Sequence, residues 1–163
     1  MPTYQQPRSR EQRTADTLAK LSATTADVWV ATAAVGASGR PSPYLVPLSL
    51  AWIDDRVVLA TEADSVTARN LSQHRTARLG LGPTRDVVMI DAELDHVYSA
   101  HEVPPDLAER YAAQAGWDPR ESGDGMCFLL LRAQRIQAWR EVNELPARTL
   151  MRAGQWIAGR SDE

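Results

Sequence analysis

Three short apolar segments separated by tight turns constrain this chain most. Val28-Trp29-Val30-Ala31-Thr32 precedes the turn Gly36-Ala37-Ser38-Gly39, and the longer run Pro41–Trp52 ends at Asp54-Asp55 before Val57-Val58-Leu59-Ala60. Strands joined by turns this short pair antiparallel, so the segment predicts a β-meander. Strands four and five are expected at Arg78–Leu81 and Val87–Tyr98, and the last at Met126–Arg132 and Arg135–Trp139. Phe128 to Leu131 is apolar without alternation, so both of its faces must be covered. Helices are expected at Thr14–Leu21, Ser65–His74 and Pro104–Gln114. Six or seven antiparallel strands with a few short helices point to a closed, mainly β barrel, because closure removes exposed edges. Residues 1–13, polar and with Pro2 and Pro7, are expected as a mobile arm before a single domain at 14–160.

Composition excludes several classes. A chain of 163 residues buries enough surface for a true core. No apolar run approaches the ~20 residues of a membrane helix, and the polar start MPTYQQPRSREQR does not read as a secretory signal. The single Cys127 excludes an internal disulfide and suits a reducing cytoplasm, the expected location; its apolar setting predicts a buried, inert thiol. Net charge is −3 with no basic strip, which argues against nucleic acid. Only Lys20 among the eighteen basic residues is lysine, and with frequent Ala this suggests a GC-rich genome such as that of an actinobacterium. His74, His96 and His101 are too scattered for a metal site. No Gly-x-Ser-x-Gly elbow, P-loop or Gly-x-Gly-x-x-Gly is present, and Asp91, Glu93 and Asp95 alternate with apolar residues as one solvent-facing side of a strand.

The stretch ATEADSVTARNLSQHRTARLGL, Ala60 to Leu81, carries the chemistry. Thr61, Ser65, Thr67, Arg69 and Asn70 cluster at the start of a helix. Unpaired N–H groups and the helix dipole favour an anion there, and a guanidinium adds donors matched to phosphate oxygens. The segment reads as a phosphate cradle; the alternative is that Asp64 or Ser65 only caps a surface helix while Arg69 points to water. Pro43 and Pro47 cannot donate to a ladder, so the second strand is an edge or is bulged there. Val46-Pro47-Leu48 would then offer backbone to a flat heterocycle; a strand kink at a barrel corner is the other reading.

These residues together resemble the split-barrel superfamily typified by pyridoxamine 5'-phosphate oxidase, from about Thr14 to Trp156. The resemblance lies in the Trp29–Thr32 strand, GASGRPSPYLVPLSLAW, the Ala60–Leu81 segment and RIQAWREVNELPARTLMR, in that order. It implies a six-stranded, Greek-key-like antiparallel split barrel of the FMN-binding type that forms a homodimer with FMN, or the deazaflavin F420, at the interface. It further implies phosphate contacts from Thr61, Ser65, Thr67 and Arg69, with Asn70 holding the turn, and ring contacts from Val46, Pro47 and Leu48. Many members carry Lys where Thr67 stands here. Trp139 and Arg152 are implied to line the partner subunit's groove, with Arg148 four residues before Arg152. Leu150 stands where the oxidases proper have His, which argues against pyridoxine-phosphate oxidation. The activity implied is hydride transfer to or from a small organic substrate, with no dedicated catalytic residue identified. A non-catalytic flavin or haem carrier on the same barrel is the alternative.

Overall fold

The computed structural model describes residues 5–158. Helix α1 (Arg10–Leu21) leads into β1 (Asp27–Val35), β2 (Pro41–Ser49), β3 (Ala51–Ile53) and β4 (Arg56–Glu62). Helix α2 (Val66–His74), β5 (Thr76–Leu81), β6 (Val87–Ser99) and helix α3 (Pro105–Ala115) follow. The chain then forms β7 (Met126–Trp139), a 3₁₀ turn at Val142–Glu144, β8 (Thr149–Arg152) and β9 (Gln155–Trp156). No helix among the described residues is long and apolar enough to cross a membrane.

The run expected as one strand, Pro41–Trp52, bends at Leu50. Its first part, β2, pairs with β1 over nine residue pairs; its second part, β3, pairs with β4 instead. Sheet order runs β2-β1-β5-β6-β7-β4-β3, so β2 and β3 stand at opposite ends of the path while being joined covalently. One bent strand therefore closes the sheet into a barrel of six, with β8 and β9 as an appended ribbon on β7. Leu50 is fully buried at the bend, and its N–H donates to the Ala26 carbonyl at 2.8 Å.

The two expected strands at the end of the barrel are one. β7 runs through Arg132–Arg135 with Gln134 as an extra residue opposite the Asp91–Ala92 step of β6, and β6 carries Asp95 as an extra residue between Leu94 and His96. Val57 to Ala60 and Phe128 to Leu131 are covered on both faces, as their composition demands. Val57, Leu59, Leu129 and Leu131 fill the barrel, where Leu71 of α2 and Leu21 of α1 join them. Val58, Ala60, Phe128 and Leu130 pack beneath Tyr111 and Ala108 of α3. Cys127 is buried, and burial pushes its thiol pKa up, away from reactivity.

An arm through residue 13 is not what forms. The Ser9 hydroxyl caps the N–H of Gln12 at 3.1 Å, and α1 begins at Arg10. Ser9-x-x-Gln12 is the spacing of a capping box, a signal present in the sequence. Ahead of the helix, Arg8 donates bidentately to Glu144 at 2.9 and 2.7 Å and pairs with Asp16 at 2.8 Å. Asp86, Lys20 and Arg140 extend this network. Glu144 is 3% exposed and also accepts from the backbone N–H groups of Arg8 and Arg140. Paired so, its carboxyl is held down at about 2, below its ordinary value.

A depressed carboxylate contributes stability that is complete above its unfolded value and is lost as pH falls through the folded one. Glu144→Gln is therefore expected to cost about 3 kcal/mol at neutral pH, because buried Arg8 loses its bidentate partner and keeps only Asp16 and Asp86. In urea denaturation the gap between the two proteins should narrow as pH falls from about 4.5 toward 2; a gap independent of pH contradicts the assignment.

Candidate functional site

The bend at Leu50 opens the barrel as well as closing it. Beyond β3, β2 pairs only with β1, and the part of β4 past Val58 has no partner on its β2 side. A split lies between these two edges. The Leu50-to-Ala26 bond sets the phase of β2: its even-numbered residues bond to β1, and its odd-numbered residues turn their backbone to the split. Pro41, Pro43 and Pro47 are all odd, so each missing donor falls on the free edge and costs no ladder bond. Val46 and Leu48 consequently spend their backbone on β1, with half-buried side chains on the inner face. Of the three residues expected to meet a ring, Pro47 alone offers its carbonyl to the split, beside Leu45. The Ser49 carbonyl on the same edge accepts from the Tyr111 hydroxyl at 3.4 Å.

Helix α2 sits over this opening, packed on β1 and β2. The five residues expected there divide into two groups. Ser65 is the N-cap, its hydroxyl accepting from the Ala68 N–H at 3.1 Å, and the Thr61 hydroxyl lies 3.4 Å from it. Arg69 is exposed and folds back to donate to the Asp64 carbonyl, keeping its guanidinium at the helix start. The N–H groups of Val66 and Thr67 complete this outer group, since a first turn leaves them without an intrahelical acceptor. Thr67 and Asn70 instead turn inward and are buried; the Asn70 amide donates to the Thr32 hydroxyl of β1 at 3.0 Å. Asn70 thereby ties α2 to the barrel wall. Glu62 and Asp64 are exposed on the same loop, and with Gly125 and Ser122 they border a cleft of about 460 Å³. Thr61, Ser65 and Arg69 thus suit an oxyanion at one point, beside an acidic rim.

Trp139 and Arg152 lie on other elements. Trp139 ends β7, half-buried, with the Arg148 guanidinium 5.3 Å above its ring. Arg152 is exposed at the end of β8, and Leu150 between the two arginines is fully buried in the barrel core. Arg148 and Arg152 border a cleft of about 680 Å³ together with Arg10 of α1. Arg10 went unread in the sequence because it falls within the expected arm.

No protein-family model matches the chain, and no curated protein does either. Solved structures do. An F420 reductase superposes with TM-score 0.53 at 10% identity, covering 72% of this chain and 94% of its own. A protein of unknown function from Agrobacterium tumefaciens reaches TM-score 0.61 at 18% identity, covering 91% of this chain and 65% of its own. A heme binding protein from Mycobacterium smegmatis reaches 0.55 at 18% identity, with 93% and 60% covered. At these identities the likeness is one of fold: the chain shares the mainly β, split-barrel architecture of these solved structures.

Asn70→Ala removes a buried hydrogen bond and leaves the Thr32 hydroxyl without it. The expected loss is about 1–3 kcal/mol of stability in chemical denaturation. An unchanged midpoint would show that α2 is anchored by packing alone.

Proposed function

We propose that the chain is an oxidoreductase that holds FMN, or the deazaflavin F420, at a homodimer interface and transfers hydride to or from a small organic substrate. The observation that carries this is the split: two free strand edges diverge beside the start of α2, where Ser65 and Arg69 lie next to Thr61 of β4. A flat ring needs an edge with unspent backbone, and a phosphate tail needs the dipole and donors at a helix start. Both lie on the same side of this barrel. Such a cofactor, when bound, supplies the redox chemistry itself. The protein's task is to position it: Arg69 leaves Asp64 for the phosphate, Thr61 and Ser65 add hydroxyl donors, and Val46 and Leu48 present an apolar inner wall. His74, His96 and His101 are all exposed, which favours a flavin over a haem needing an axial ligand. The buried, unreactive Cys127 suits a reducing cytoplasm.

The homodimer rests on the outer face of the β1–β2 ribbon. Trp29, Val35 and Leu45 are 53%, 57% and 58% exposed there, in register with Pro47, Pro41 and Ala31. Between Trp29 and Val35 that face is apolar, with Asp27 and Ser49 at its end, and monomers rarely leave such an apolar strip in water. A second copy covers it, and its Trp139 and Arg152 then line the groove, as the family resemblance implies.

Absorbance of freshly purified protein, with mass spectrometry of the released chromophore, should show FMN or F420; a Soret band would replace this reading with a haem carrier. In FMN titration, Arg69→Ala should weaken binding by about 1.5–3 kcal/mol, the worth of a charge-assisted bond. Unchanged affinity would remove the phosphate cradle. Trp29→Glu combined with Leu45→Glu should convert the dimer to a monomer in sedimentation, and an unaltered mass would place the interface elsewhere.

A further inference from the structure

The register of β3 against β4 shows where the barrel begins to split. The two-residue turn at Asp54-Asp55 makes Ile53 and Arg56 a hydrogen-bonded pair, and alternation makes Ala51 and Val58 the next. One more step along the same register would pair Ser49 with Ala60, but no rung forms there, because the chain has turned to β1. The hydroxyl of Tyr111 stands in that place. It donates to the Ser49 carbonyl at 3.4 Å, and the backbone N–H of Ala60 is directed at the same oxygen from β4. One side-chain oxygen therefore serves both edges at the first position where they part. Burial pushes the Tyr111 pKa up, so the phenol keeps the proton it donates.

That oxygen is held from α3. The Tyr111 ring is fully buried, edge-on to Phe128 of β7 with centroids 5.5 Å apart and to Trp117 at 6.1 Å. Gln114, three residues further along the helix, donates to the Leu21 carbonyl at 2.7 Å and accepts from the Trp52 N–H of β3 at 2.9 Å. Arg110 grips Asp54, at the turn of the β3–β4 hairpin, with two bonds of 2.9 Å. Withdrawing the phenol from the split breaks these ties.

We propose that Tyr111 is a positioning residue of this site: its hydroxyl replaces the first missing rung between β2 and β4, and so sets where the split begins and how wide it stands. A direct bond between Ser49 and Ala60 would hold the strands about 4.8 Å apart, as in any sheet, whereas an oxygen bonded to both keeps them wider. The free edges beyond, with the Leu45 and Pro47 carbonyls on β2, take their separation from this apex. That the opening receives a planar ring rests on the flavin reading; that Tyr111 holds it open does not.

Tyr111→Phe keeps the ring between the edges and removes the oxygen. Amide hydrogen exchange at Ala60 is expected to accelerate by about tenfold or more, because the N–H loses its acceptor while the ring still bars the Ser49 carbonyl. Val58 and Leu59, bonded to β3 and β7, should keep their rates. In FMN titration the folded variant should bind about tenfold more weakly than the parent, its opening no longer being set in advance. A tyrosine that only fills space would lower the melting temperature and leave both readouts alone, and that result overturns the proposal. Faster exchange with unchanged FMN affinity overturns the positioning role as well. If the parent binds neither FMN nor F420, the flavin reading falls by itself and Ala60 decides: faster exchange supports the held split, and an unchanged rate overturns it. Should the variant not fold, the Tyr111 hydroxyl proton of the parent is observed by NMR. Slow exchange with water and a nuclear Overhauser contact to the Ala60 amide proton are expected, and their absence overturns the bridge.

Discussion

The bend at Leu50 is the constraint on which the rest of the molecule depends. A strand that pairs with β1 on one side and then with β4 on the other must turn between them, and the turning residue must be buried to hold the angle. Leu50 does this with its side chain in the core and its N–H on Ala26. Closing the barrel this way obliges β2 and β4 to diverge, since one strand cannot follow both neighbours along its whole length. Closure and opening are thus one geometric event. The opening leaves unpaired backbone beside a helix start, where an edge is useful only if it does not recruit other strands. Three prolines on alternate positions keep that edge from pairing further without weakening the ladder behind it.

A second organising interaction lies at the other side of the barrel. Arg8, Asp16, Lys20, Asp86, Arg140 and Glu144 form a balanced network that pins the N-terminal segment to the turns after β5 and β7. Its inner pair, Arg8 with Glu144, is withdrawn from water and satisfied on several sides, so neither charge is left stranded. The network also places α1, and with it Arg10, against β8.

Much of the architecture was legible from residue order. The meander, the helix after the third apolar segment and the two-sided burial of Phe128–Leu131 follow from alternation, turn residues and unbroken apolar runs. The solvent-facing set Asp91, Glu93 and Asp95 was legible by its period of two, and the structure pairs Asp91 with arginines of β5 and β7 and Asp95 with arginines of β7 and β4. The failures have physical causes. Ser9 and Gln12 announced a helix start, but prolines and polar residues before them read as an arm. The bend within Pro41–Trp52 left no mark, because a buried Leu is equally at home in a straight strand. The division of Thr67 and Asn70 from Ser65 and Arg69 was hidden, because helical spacing alone does not say which face meets the barrel.

The sequence by itself determined that the chain makes antiparallel strands with short helices, where most of them run, and which segment holds hydroxyls and a guanidinium at a helix start. These are local matters of period, propensity and capping. Only the tertiary structure decided that one strand serves two neighbours, that Pro47 and not Val46 faces the split, and that Arg10, Arg148 and Arg152 share a cleft. Each of those depends on residues far apart in the chain being brought within ångströms, and no local pattern of side chains encodes that distance.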